Sequence, residues 1–98
     1  MNNIKHHEEI CKKLTYIYDR KNQDYGDSFS KQYEEYGLIS SAIRLDDKMQ
    51  RFKNLINNNA QVKDESIEDT LLDLANYAIM TVMELEKRQF PNQDKIQK

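Results

Sequence analysis

The stretch Glu65-Ser66-Ile67-Glu68-Asp69-Thr70-Leu71-Leu72-Asp73-Leu74-Ala75-Asn76-Tyr77-Ala78-Ile79 decides the reading of this chain. Wound as one helix at about 100° per residue, it carries two messages on two faces. Glu65, Asp69, Asp73 and Asn76 read as a polar stripe, with Leu71, Leu72, Leu74, Ala75, Ala78 and Ile79 expected to anchor the opposite half. Surface helices usually balance their acids with Lys or Arg at i+4, yet this stripe meets no cation until Lys87. Something positive is therefore expected opposite it, either a divalent metal or Arg and Lys from another helix.

The rest of the chain suits the same fold class. Its 98 residues provide one small core, expected over residues 1–90, with 91–98 as a flexible tail beyond Pro91. Charged residues make up 33% and apolar ones 38%, with two Gly and one Pro, a composition of long helices rather than hairpins. The expected architecture is all-α: an antiparallel bundle of three long helices plus a short helical segment near residues 28–36. A net charge of -2 argues against a protein that wraps nucleic acid through many phosphate contacts, and leaves a small phosphorylated ligand open. A lone Cys11 forms no internal disulfide, and no apolar run reaches signal or membrane-span length, so a cytoplasmic protein is expected.

Ile4, Ile10, Cys11, Leu14, Ile17 and Tyr18 recur at helical spacing and predict a first helix from Asn3 toward Lys21, with Cys11 as a small buried apolar group. Adjacent His6 and His7 lack the i,i+3 or i,i+4 spacing of metal pairs and read as surface residues. Lys21 to Ser30 then reads as a connector. Its Lys21, Asp24 and Tyr25, beside a Gly26 free to take positive φ and a cap at Asp27 or Ser28, are the groups that can grip a phosphate or a base. Leu38, Ala42, Leu45, Met49, Phe52 and Ile56 predict a third helix packed along that stripe, with Ser40, Arg44, Asp47 and Arg51 on its reverse. Arg44, Asp47 and Arg51 form either a solvated ion-pair ladder or a phosphate clamp. After the polar break Asn57–Gln61, Asp64 or Ser66 caps a last helix running to about Gln89. Tyr16, Tyr18, Tyr33 and Tyr36 read as packing residues with wet hydroxyls.

Three blocks together resemble a known family. Asn22-Gln23-Asp24-Tyr25-Gly26-Asp27-Ser28-Phe29, then Arg44-Leu45-Asp46-Asp47-Lys48 with Arg51 and Leu55, then the run Glu65 to Ala78, look like the nucleotide modification associated domain of the first type, over roughly residues 10–85. That family, common in phages and bacteria, implies the handling of nucleotides. More distantly the blocks resemble the MazG-type all-α nucleoside triphosphate pyrophosphohydrolases, in which two helices present acids to Mg²⁺ carried by the substrate phosphates. The Gly37-Leu38 start and Lys48 fit that register, but Ser41 and Arg44 stand where its first helix has glutamates. Asp69 and Asn76 match the second helix by their seven-residue spacing, whereas Ser66 replaces a glutamate and leaves Glu65 and Glu68 as its neighbours.

Two principal readings follow. In the first, the protein binds a nucleotide or cyclic nucleotide and sequesters it, with Arg44, Lys48 and Arg51 on phosphates, Tyr25 stacking on the base, and Lys21, Asp24 and Asn76 beside them. In the second, it is a Mg²⁺-dependent pyrophosphohydrolase in which Asp47, Asp69 and Asp73 hold the metal and Glu65 or Glu68 positions water. A third is a helical interaction module whose acidic stripe pairs with Arg44 and Arg51 of a neighbouring helix. A homodimer or larger homo-oligomer is expected, because three helices make a thin core.

Overall fold

Breakers are few and they lie where helices end. The computed structural model describes residues 2–25, 27–57 and 64–89, with four helices: α1 (Asn3–Tyr25), α2 (Ser28–Tyr36), α3 (Leu38–Asn57) and α4 (Asp64–Gln89). Three long helices and one short one thus form an all-α bundle. Gly26 and residues 91–98, expected as a turn and a tail, lie outside the described residues.

α1 runs one turn further than its apolar pattern predicts. Asn22, Gln23 and Asp24 contain no breaker, so the segment read as a connector is helical up to Tyr25. Asp27 occupies the N-cap position of α2 without a side-chain capping bond, and among the described residues positive φ is found at Gly37. With φ 76° and ψ -158°, Gly37 sends its N–H back to the Tyr33 carbonyl and so closes α2. Its own carbonyl accepts both the N–H and the hydroxyl of Ser40, which opens α3.

Packing only partly follows the faces read from the sequence: Leu72 is buried as expected and Leu45 and Phe52 are half-buried, but polar residues take much of the interior. In α4 the buried positions are Thr70, Leu72, Asn76, Thr81 and Glu84, while Leu71, Ile79, Val82 and Met83 are exposed. In α3 the buried pair is Ser40 and Ser41, and Leu38, Met49 and Ile56 of the expected packing stripe are exposed. The reason is the partner each polar face finds. Arg51 Nε donates to Thr70 Oγ1 at 3.3 Å, Lys48 pairs with Asp73 at 3.3 Å and Arg44 Nη1 reaches the Tyr77 hydroxyl at 3.5 Å, in antiparallel order along α3 and α4. Cations of other helices therefore stand opposite the acidic stripe, and polar groups so paired can be buried.

α1 reaches α4 only from its middle onward. Leu14 is buried and its carbonyl accepts from Asn76 Nδ2 at 3.1 Å, while Lys13 pairs with Glu68 and Lys21 with Asp73, each at 2.8 Å. N-terminal to this contact Ile4 and Ile10 are exposed, and so is Cys11, contrary to its expected burial. Cys11 Sγ instead sits 3.7 Å from His7 Nδ1 at the surface. Tyr33 is buried, but Tyr16 and Tyr36 are exposed rather than packed, Tyr16 lying beside the Arg20 guanidinium. No helix among the described residues is long and apolar enough to cross a membrane.

Candidate functional site

The antiparallel pairing of α3 and α4 leaves a cavity of about 430 Å³ where α1 and α2 close over α4. At one end, Asp73 accepts from Lys21 through Oδ1 and from Lys48 through Oδ2, so two cations are held on one carboxylate. Arg44 stands beside them. Its Nε donates to Gln32 Oε1 at 2.8 Å, and its guanidinium lies 5.4 Å from the Phe29 ring centre and 5.5 Å from that of Tyr77. Phe29 and Tyr77 are stacked, with centroids 6.0 Å apart and planes at 14°. No carboxylate pairs with Arg44 among the described residues. Its charge is half-buried and held in place by an amide and two ring faces.

Met80 and Met83 of α4 carry the cavity wall to a second polar end at Ser30, Glu84 and Lys87. The Glu84 side chain is 5% exposed and takes Lys87 and Arg88 of its own helix at 3.1 and 3.0 Å. The Ser30 hydroxyl donates to its Oε2 at 2.5 Å. Burial pushes this carboxyl up, but the Ser30 hydroxyl, Lys87 and Arg88 together outweigh burial and hold it below its ordinary value. Glu84 is thus a fixed carboxylate.

The residues singled out from sequence divide between two cavities. Lys21, Asp73 and Asn76 line the first, Asp47 and Arg51 line a second of about 660 Å³, and Arg44 and Lys48 border both. Asp69 and Glu68 are exposed and line neither, and Glu68 is held by Lys13, whose cation draws its carboxyl below the ordinary value. The first cavity therefore holds one of the three acids expected to carry metal. Among the described residues no three of His, Cys, Asp and Glu come together as a metal site. Asp47 pairs with neither Arg44 nor Arg51, so the anticipated ladder does not form: Gln32 and the rings position Arg44, and Thr70 positions Arg51. The side chains of Asp24, Tyr25 and Glu65 lie outside the described residues.

Phe29, Tyr77, Met80, Glu84 and Lys87 were not read as site residues. For the four on α4 the signal is the helical repeat from Asp73 through Tyr77, Met80 and Glu84 to Lys87, which continues the Asp73 face for nearly four turns, whereas Phe29 of α2 carries no such signal.

The family model described as nucleotide modification associated domain 1 matches residues 21–85, most of the chain. The chain belongs to that family. The nucleotide modification associated domain therefore starts at Lys21, inside α1, and spans α2, α3 and α4 as far as Leu85. All the cavity-lining residues except Tyr18 and Lys87 fall within it. Neither curated proteins nor solved structures gave a match.

Proposed function

We propose that this nucleotide modification associated domain binds a nucleotide, or a cyclic nucleotide signal that it sequesters, in the cavity between α4 and the α1–α2 corner. The observation that carries the reading is Arg44: a half-buried guanidinium, positioned by Gln32, Phe29 and Tyr77 and lacking a carboxylate partner among the described residues. A charge so placed favours an anion, and its planar fork suits phosphate oxygens. Lys21 and Lys48 stand next to it on Asp73 and can turn to phosphate, while Phe29, Tyr77 and the two methionines offer apolar surface to sugar and base. The test is incubation with linear, modified and cyclic nucleotides plus Mg²⁺, followed by mass analysis of the protein-bound and free fractions. An intact nucleotide recovered from the protein supports the reading, and no bound nucleotide overturns it.

A Mg²⁺-dependent pyrophosphohydrolase is the second reading, favoured by Asp73, which faces the same cavity. Mg²⁺ arriving on phosphates needs only one or two carboxylates. This reading predicts a monophosphate in the free fraction of the same experiment. Asp47, Asp69, Glu65 and Glu68 belong to it, but among the described residues no three acids come together as a cage.

The working form proposed is a homodimer. Leu38, Ile39 and Ile43 of α3, together with Ile79 and Val82 of α4, are 45–61% exposed, more apolar surface than a 98-residue monomer comfortably shows to water. A second copy covering these faces would complete a core that polar pairing leaves thin. Sedimentation at micromolar concentration should show about twice 11.7 kDa, and a monomer alone would reject the dimer.

A further inference from the structure

The end of the cavity remote from Arg44 has a donor and acceptor order of its own. Glu84 and Asp73 are about 16 Å apart along α4 at ~1.5 Å rise per residue, a span on the scale of a nucleoside polyphosphate. Between them the wall is Tyr77, Met80 and Met83. At the far end Lys87 Nζ stands 3.1 Å from Glu84 Oε2, so the protein presents one donor next to two carboxylate oxygens. A carboxylate accepts at about four positions. Ser30, Lys87 and Arg88 occupy three of them here. Lys87 is 54% exposed, so its hold on the carboxylate is weak and easily surrendered. Two acceptor positions can then be offered together.

Donor, acceptor, acceptor is the complement of one base edge. Guanine shows O6 as acceptor followed by N1–H and the 2-amino group as donors. Uracil flanks its N–H with two oxygens, and adenine and cytosine place a ring acceptor beside their amine. Resting on the nucleotide reading above, we propose that this end of the cavity selects guanine, with Glu84 accepting from N1–H and the 2-amino group and Lys87 donating to O6. Ser30 and Arg88 act as positioning residues: one reaches across from α2 and the other back along α4, and together they fix the carboxylate before the base arrives. Because the carboxylate is already ordered and charged, little is lost in aligning it on binding.

The test is calorimetric titration of the full chain with GTP, ITP and ATP. ITP keeps O6 and N1–H but lacks the 2-amino group, so GTP should bind about tenfold more tightly than ITP, the loss of a hydrogen bond to a charged acceptor. Glu84→Gln should reduce that ratio below threefold while the triphosphate still binds. Should Glu84→Gln fail to fold, Lys87→Ala at the exposed ion pair carries the test: it should narrow, without closing, the gap between GTP and 2-aminopurine riboside triphosphate, which lacks both O6 and N1–H, because only the O6 contact belongs to Lys87. GTP, ITP and ATP bound alike by the native protein, or a guanine preference intact in every folded variant, would overturn guanine selection and leave nucleotide binding standing. No binding by any of the three would bring down the nucleotide reading and guanine selection with it.

Discussion

Asn76 Nδ2 donates to the Leu14 carbonyl at 3.1 Å inside the bundle, and this bond ties the middle of α1 to α4. Asn76 therefore holds α1 in the position where Lys21 can reach Asp73. Asn76→Ala should cost about 1 kcal/mol, the net worth of a neutral hydrogen bond. Asn76→Asp should cost more, because a buried carboxylate then faces a carbonyl oxygen. Urea unfolding midpoints of the two variants provide the check, and an Asp variant as stable as the Ala variant would contradict this geometry.

Asp73 separates the two functional readings. In the unliganded cavity its carboxylate holds both Lys21 and Lys48, so a phosphate must compete with it. Asp73→Asn releases the lysines and removes a negative charge. A binder that works without metal should gain several-fold in affinity for a nucleoside triphosphate measured in EDTA. A Mg²⁺-dependent hydrolase should instead lose turnover. Weaker metal-free binding in the variant would count against phosphates seated at this end.

Glu84 should leave its mark on acid stability. Its folded carboxyl sits below the ordinary glutamate value of about 4.3, so it stabilises the fold above that pH and the contribution fades as pH falls through the lower folded value. Glu84→Gln should therefore be less stable than the native protein at pH 7, with the difference shrinking toward pH 3. Denaturation at both pH values measures it, and a difference that grows on acidification would reverse the assigned sign.

Gly37 is a backbone requirement rather than a packing one. A Cβ added there meets nothing within 4 Å, yet φ is 76° with ψ at -158°, a region closed to side chains. Gly37→Ala should destabilise by roughly 1 to 3 kcal/mol through strain alone. A melting temperature equal to that of the native protein would show that the α2–α3 corner relaxes without cost.

The acidic stripe of α4 shows how far sequence reading extends. That Asp73 must face something positive was legible from the missing i+4 cation, and the positive groups are Lys21 of α1 and Lys48 of α3. Arg44 was legible as a candidate phosphate group from its place with Asp47 and Arg51 on one face of α3, and Lys48 from the family resemblance. Which face of α4 turns inward was not legible, because periodicity sorts residues into faces without saying which face finds a partner.

What the sequence by itself determined is local: the helices and most of their ends, the C-terminus of α1 excepted, set by breakers such as Gly37 and by 3.6-residue periodicity, and the family, set by blocks of residues within 21–85. Only the tertiary structure decided that Ser41 and Asn76 are buried while Ile39 and Ile79 face outward, and that Ser30 meets Glu84. The physical reason is that polar side chains are buried when a partner waits for them, and those partners lie in other helices. Ser30 and Glu84 are far apart in the chain and carry no local signal of each other; their meeting follows from the way α2 folds back on α4.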